Sequence, residues 1–364
     1  MIKNLIKNKL ITFLVCGNGY GHFKRCAKIA NYLISNHQDV SVNFVCNENI
    51  IKENYDWIIL KELYEFSNFN LISTKKRVRI NNNKINFKDL FNDDFLWIDK
   101  TIISKTDLMI SDNCTSILKY RPDTILMGSF LWSEVFSVYA VNNIEIQKCC
   151  NHELDLLIKH KPQMISLKDM SMPYVKNYTN VFYTDWLVTN RNLTLIKKRI
   201  RNILILGGGT GLVDEIILKM VNLLQSKFNV YSNEKIVNKS FTNKIIINKF
   251  DFTADSFNNI DLIIARPGIG TLTDSVTYGI PIFGISESIM VNKEIQFNLK
   301  KIENLKIGLD ISSNPEDILN IILKIQENDQ YFEFQNNLIN RGIDGIAQTV
   351  NLIIKKLDEK RYNK

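Results

Sequence analysis

The sequence predicts an α/β chain: two doubly wound, Rossmann-like parallel-sheet domains facing one another across a cleft. Three observations carry this. Short apolar runs alternate with helical patterns, which argues for parallel strands joined by crossover helices. The alternation occurs twice along 364 residues, a length suited to two domains. Nine of the 15 glycines fall in three segments that each follow an apolar run and precede a helical pattern.

In the first half, strand-like runs lie at residues 11–16, 42–46, 57–60, 108–111 and 124–127, with helical patterns at 22–35, 87–103 and 131–141. In the second half, strands read at 203–206, 230–232, 244–248, 262–265 and 281–284, and helices at 212–227, 271–278, 292–301 and 315–326. These divide the chain into a first domain at 1–185, a polar linker at 186–201 and a second domain at 202–345. A final segment, 346–364, carries one apolar stripe (Val350, Ile353, Ile354, Leu357) that must pack on something, with the first domain as the expected place.

Composition excludes several classes. Apolar residues make up 45% and charged ones 23%, the ordinary globular range, so global disorder, collagen-like repeats and coiled coils are out. No apolar stretch of about 20 residues spans a bilayer, and no signal peptide is read at the N-terminus. The spacing of the six cysteines fits neither a zinc knuckle nor a CxxC pair, so they read as reduced cytosolic thiols.

The glycine segments are Gly17/Gly19/Gly21, Gly207/Gly208/Gly209/Gly211 and Gly268/Gly270. Ligands of open α/β sheets bind at the carboxyl ends of the strands. Glycine there permits close approach and tight turns, and the free N–H groups and dipole of the following helix favour a phosphate. A single such loop is more simply a tight turn. Three at equivalent places point to a phosphate-bearing ligand. His22 stands where the dinucleotide fingerprint needs glycine, and Gly207–Leu212 lacks the GK[ST] ending of a P-loop, which weakens dehydrogenase and ATPase readings.

The run Arg266-Pro267-Gly268-Ile269-Gly270-Thr271, then Asp274 and Gly279-Ile280-Pro281, resembles the donor-binding segment of GT-B glycosyltransferases, in particular family 28. Gly19-Tyr20-Gly21-His22-Phe23-Lys24-Arg25-Cys26 resembles a Gly-x-Gly-His-x-x-Arg loop of family-28-like predicted glycosyltransferases, and is similar to one in a UDP-sugar hydrolase. The resemblance covers roughly residues 10–130 and 200–310 and implies the GT-B fold. It implies a nucleotide-sugar donor, commonly a UDP-sugar. Asp274 would then hold the ribose, Phe250 would belong to the base-binding loop, and Glu294 and Asn298 would form the polar pair against the sugar. Ile295 departs from the glutamine usual there.

Sugar transfer asks for diphosphate stabilisation, nucleoside binding and removal of a proton from the acceptor hydroxyl. The loop Gly207, Gly208, Gly209, Thr210, Gly211 and the turn Gly268, Gly270, Thr271 offer N–H groups for the first. His22 is the candidate base, because its ordinary pKa lies near neutrality, and Asp112 at another strand end is the candidate to orient it; a capping His and a plain strand-end Asp are the simpler readings. Gly19, Gly21 and Arg25 complete the first loop, with Arg25 facing either a phosphate or a carboxylate. No DxD follows a strand, so no metal and no resident cofactor is expected. The chemistry expected is inverting, metal-independent transfer from the nucleotide sugar to a glycan, lipid-linked or protein acceptor. A UDP-sugar hydrolase, a nucleotide-sugar epimerase and a non-catalytic nucleotide-sugar-binding scaffold are the rivals.

The 46 basic against 38 acidic residues leave a net charge of +8. The basic run Lys75-Lys76-Arg77-Val78-Arg79, followed by Phe87, Phe91, Phe95 and Trp97, reads most simply as a solvated loop before a core-packed helix. An anionic membrane surface is the second candidate, and no nucleic-acid signature is present. The expected location is cytoplasmic, with peripheral attachment to the inner face of the membrane as an extension.

Overall fold

The computed structural model describes residues 9–17, 20–53, 58–74, 80–81, 84–85, 100–189, 191, 199–208, 213–241, 246–286 and 292–362. The chain forms two compact units: residues 1–189 together with 344–364, and residues 190–343.

In the first unit β1 (Lys9–Leu14), β2 (Val40–Asn47), β3 (Phe69–Thr74), β6 (Leu108–Asp112), β7 (Ile125–Met127), β8 (Gln163–Leu167) and β9 (Asn180–Thr184) form one sheet. Its order is β3-β2-β1-β6-β7-β8-β9 and every pairing is parallel. A small antiparallel hairpin, β4 (Ile80–Asn81) with β5 (Lys84–Ile85), stands apart from it. A parallel sheet must be covered on both faces, and the alternation along each strand shows how. Ile11, Phe13, Ile110, Ile125 and Ile165 enter one core with Phe23, Ile29 and Leu33 of the Tyr20–Asn36 helix. Leu14, Met109, Leu126 and Met164 enter the other, with Leu156 and Leu157 of the Ile144–His160 helix.

The Gly345–Tyr362 helix also belongs to this unit: its Val350, Ile353 and Leu357 lie in the same core as the Tyr20–Asn36 helix. Lys360 bonds Asp123, and Asp358 bonds Lys9 at 3.1 Å, fastening the helix to elements of the first sheet.

In the second unit β10 (Asn202–Leu206), β11 (Asn229–Ser232), β12 (Asn248–Lys249), β13 (Leu262–Ala265), β14 (Ile282–Gly284) and β15 (Gly308–Asp310) form a parallel sheet of order β12-β11-β10-β13-β14-β15. Ile203, Ile205, Leu262, Ile264 and Phe283 pack against Ile217, Met220, Val221 and Leu224 of the Asp214–Leu224 helix.

Several expectations need correction. The apolar run at 57–60 is not a strand: residues from Ile58 open a helix, Ile58–Glu65, that buries Leu60 and Leu63. Four consecutive apolar residues fit either state, and the i, i+3 spacing of the buried pair decides it. The strand beyond it is β3, an edge strand that mixes Phe69, Leu71 and Ile72 with Asn70, Ser73 and Thr74. Residues 131–141 form two four-residue helices, Trp132–Val135 and Ser137–Ala140. Strands β8, β9 and β15 and the helices Ile144–His160 and Gln330–Ile339 had no counterpart in the sequence reading. The Ile144–His160 helix starts where Asn143 Oδ1 accepts the N–H groups of Glu145 and Ile146 at 3.0 and 3.2 Å, and stops at Lys161 in the left-handed conformation (φ 42°). Residues 87–99 of the 87–103 pattern, residues 190 and 192–198 of the linker and the 75–79 basic run lie outside the described residues.

Candidate functional site

Each sheet reverses its strand order once, at β1/β6 and at β10/β13. Crevices at the carboxyl ends of such strands are where doubly wound sheets hold ligands. His22, Arg25 and Asp112 lie at the first of these places, and Gly207, Gly208, Arg266, Gly268, Gly270 and Thr271 at the second.

In the first unit β1 ends at Leu14 and the next helix begins at Tyr20, which puts His22 in its first turn. Asp112 is the last residue of β6, the strand beside β1. His22 Nδ1 lies 2.9 Å from Asp112 Oδ1. One helical turn on, Arg25 Nε donates to Asp112 Oδ2 at 2.6 Å, and its Nη2 donates to Oδ1 while lying 2.9 Å from His22 Nδ1. The side chain of Asp112 is fully buried, and those of His22 and Arg25 are each 12% exposed. The Arg25 alternatives are thus decided in favour of a carboxylate. Gly21 lies in the helix's first turn, and Gly19 is outside the described residues.

The electrostatics follow from burial and these contacts. Burial alone would raise the Asp112 carboxyl, but Arg25 and His22 outweigh it and hold it well below the usual carboxylate range. Burial alone would depress His22, but the Asp112 carboxylate outweighs both that and Arg25, so the imidazole pKa stands above its ordinary value. Four thiols surround the group. A hydrogen bond with Cys114, together with burial, raises Cys16, and burial beside Asp112 raises Cys26, whose Sγ donates to Asp112 Oδ2 at 3.3 Å. Burial pushes Cys46 up to about 12. Cys16, Cys26 and Cys46 are thereby held as neutral thiols at physiological pH. His22 meets Asp112 and Arg25 through Nδ1; a proton on that nitrogen, donated to Asp112, would leave Nε2 as the basic one.

In the second unit Gly207 and Gly208 follow β10 directly. A Cβ on Gly207 would stand 2.6 Å from Asp214 Oδ1, and Gly208 is left-handed at φ 73°, so glycine is required at both. Gly209, Thr210 and Gly211 are outside the described residues. Beside this loop β13 ends at Ala265, Arg266 N donates to Leu206 O at 3.2 Å, and Gly268 caps the Ile269–Tyr278 helix. Gly270 and Thr271 lie in its first turn, where the N–H groups are free of intrahelical partners. A Cβ on Gly268 would meet nothing within 4 Å, so the space over this helix start is open. Asp274, half-buried, lies one turn further along. Burial, and then Asp274, raise the Tyr278 phenol; that ring stacks on Phe257 at 4.5 Å.

The chain was compared with known proteins. No family model matches it. It is 24% identical, over 396 aligned residues, to an uncharacterized glycosyltransferase of Methanosarcina acetivorans, covering 97% of this chain and 98% of that one. Among solved structures it is similar to the calicheamicin glycosyltransferase CalG4 (TM-score 0.63, 10% identity, 97% of this chain and 99% of the other). It is also similar to UDP-glucose:anthocyanidin 3-O-glucosyltransferase in complex with UDP (TM-score 0.63, 12% identity, 97% and 100%). The chain has the GT-B fold.

Within this GT-B chain one of the expected donor residues, Asn298, sits differently from the expectation. Asn298 does not present its side chain to a ligand: it is 1% exposed and its Nδ2 donates to Pro267 O at 2.8 Å, so it fixes the turn that carries Arg266 and Gly268. The Phe250 ring is 4% exposed, edge-on to Phe252 at 5.0 Å and to Phe257 at 4.9 Å, which leaves the backbone of its loop as the part that can meet a base. Glu294 lies half-buried in the first turn of the Lys293–Asn304 helix, while Ile295 is buried in the core.

Three site residues were missed. Asn292 Oδ1 caps that helix, accepting from Glu294 N at 3.0 Å; an Asn just before a helical pattern was the available signal. Phe252 is 40% exposed and left-handed at φ 60°, a strained conformation for a bulky residue. Asn113, next to Asp112, is also left-handed (φ 52°), with its carbonyl accepting from Trp132 Nε1 at 2.7 Å. Neither strain has a sequence signal.

Proposed function

We propose that this chain is a glycosyltransferase that moves a sugar from a nucleotide sugar, by preference a UDP-sugar, to an acceptor hydroxyl with inversion and without a metal. The His22–Asp112 pair at the β1/β6 strand reversal carries the reading. His22 Nε2 takes the proton of the acceptor hydroxyl as its oxygen attacks the anomeric carbon. Asp112 holds the ring through Nδ1 and stabilises the imidazolium that forms. The bond to the nucleoside diphosphate breaks on the opposite face, hence the inversion. The leaving diphosphate is met by the N–H groups at the start of the Ile269–Tyr278 helix and by the loop that opens with Gly207 and Gly208. Arg266 and Thr271 belong to the same site, Asp274 accepts from the ribose hydroxyls, and Glu294 contacts the sugar.

The acceptor on this reading is a glycan, lipid-linked or protein hydroxyl in surface-glycan or glycoconjugate synthesis, and the location is the cytoplasm, with an anionic membrane surface as a second partner. No helix among the described residues is long and apolar enough to cross a membrane. Salt-sensitive sedimentation with anionic liposomes tests the surface contact, and its absence retires it.

The deciding experiment is a thermal-shift panel of UDP, dTDP, GDP, CMP, NAD and ATP in EDTA, followed by an acceptor screen with the best nucleotide's sugars. Stabilisation by UDP that is lost in Asp274→Ala supports the donor site, since a ligand of the native state raises the melting temperature by mass action. Stabilisation by NAD or ATP alone sinks it. Free sugar released without any acceptor would reassign the chain as a hydrolase, with water in place of the acceptor hydroxyl.

A further inference from the structure

A histidine–aspartate pair needs only two residues, yet a third charged side chain is built into this one. Arg25 lies on the same helix as His22, one turn on, nearly buried, and commits both Nε and Nη2 to the two oxygens of Asp112. Its Nη2 also stands 2.9 Å from His22 Nδ1, as close to the imidazole as the carboxylate is. Two opposite charges therefore meet the same ring nitrogen. The carboxylate favours the imidazolium and the guanidinium disfavours it.

The other titratable groups facing His22 are thiols, of which Cys16 adds to the upward push of Asp112. Cys16, from the end of β1, is held neutral by its hydrogen bond with Cys114 and by burial. Cys26, on the helix of His22, is held neutral by burial and by Asp112. Cys46, at the end of β2, is neutral through burial. Among the described residues, Asp112 and Arg25 are the charges in contact with the ring.

We infer that Arg25 is a positioning residue for His22: it clamps the Asp112 carboxylate in place and sets a positive charge against the inner ring nitrogen, so that the ring is neutral, and Nε2 basic, at a pH where an aspartate alone would keep it protonated. The inference deepens the assignment of His22 as the base and rests on it, but its test needs no turnover.

The test is an NMR titration of the His22 ring in the full chain. The protein has four histidines, so His22→Gln assigns the resonance. Arg25→Gln should raise the His22 pKa by about 1–3 units, the effect of one adjacent charge. In a transfer assay the acid limb of kcat/KM should move up by the same amount. A folded Arg25→Gln whose His22 pKa is unchanged or lower overturns the inference. A purely structural arginine would change melting temperature and leave the pKa alone.

If Arg25→Gln does not fold, the double variant Arg25→Gln/Asp112→Asn decides, because it removes both buried charges together. Its reference is Asp112→Asn alone, in which Arg25 faces the ring unopposed: His22 should titrate about 1–3 units higher in the double variant than in Asp112→Asn. An equal or lower value in the double variant would overturn the inference equally. Loss of transfer in His22→Ala is a separate result. If that variant kept full activity, the base assignment would fail while the titration still reported on Arg25.

Discussion

The strand reversals of the two sheets are furnished in opposite ways. At β1/β6 the functional groups are side chains: an imidazole, a carboxylate and a guanidinium, locked to one another within 3 Å. At β10/β13 they are main chain: glycines that bring the backbone close and a helix start with free N–H groups. The first arrangement suits a reaction step, since proton transfer needs one atom of set basicity. The second suits holding a diphosphate, whose charge is spread over several oxygens and is best met by several N–H groups. The weak points differ accordingly. The first site fails when a charge loses its counterpart, and the second when a Cβ or a misplaced turn blocks the approach.

The sharpest test of this contrast is His22→Ala. It should lower kcat/KM for transfer by about 10²–10⁴-fold, the usual worth of a general base, while UDP affinity by calorimetry stays at the wild-type value. Matching losses in both would collapse the distinction between the two sites.

Asp112→Ala comes next and should act on stability. It strands the buried Arg25, and breaking a buried pair costs about 3–5 kcal/mol, readable as a lower midpoint in urea. The pH dependence has a definite sign. The folded carboxyl ionises far below its unfolded value of about 3.9. Its contribution is therefore complete above about pH 4 and is lost as the pH falls toward the folded value. Asp112→Asn should remove that part of the acid sensitivity. His22 runs the other way: with a raised folded pKa, its contribution is present below about pH 6.5 and lost as the pH rises through the folded value.

How far these sites could be read from sequence follows the same division. The glycine positions were legible because a tight approach after a strand leaves a compositional mark. The His22–Asp112 pairing was legible because both residues end strand–turn segments of one predicted sheet. The partner of Arg25 was not, since helical spacing places it on the face neighbouring His22 without saying what lies opposite. Residues 130–190 were in part misread and in part unread for a physical reason. Their short helices are held by buried carboxylates rather than by periodic apolar faces: Glu153 Oε2 accepts Ser133 N at 2.6 Å, and Glu134 Oε2 accepts Tyr174 N at 3.0 Å. A glutamate in sequence reads as surface charge. Only the fold shows these two capping helix starts.

At the donor side, Gly207→Ala should drive a methyl group against Asp214 and Ile217 and cost about 1–3 kcal/mol by overpacking. UDP-induced stabilisation should be lost, with the His22 titration unchanged. Asn298→Ala is expected to be milder. Leaving the Pro267 carbonyl without its donor costs about 1–3 kcal/mol, and the UDP dissociation constant should rise several-fold with kcat nearly intact. If Asn298→Ala lowered kcat and left UDP binding alone, the residue would belong to the chemistry rather than to the turn.

The Gly345–Tyr362 helix sets a timetable for the ribosome. It supplies Val350, Ile353 and Leu357 to the core of the first unit, yet it is synthesised after the whole of the second. Domains commonly fold in the order in which they are made, but here the N-terminal unit must wait with a face of its core unfilled while residues 190–343 emerge and fold ahead of it. The nascent first unit thus completes its core only when the Gly345–Tyr362 helix arrives.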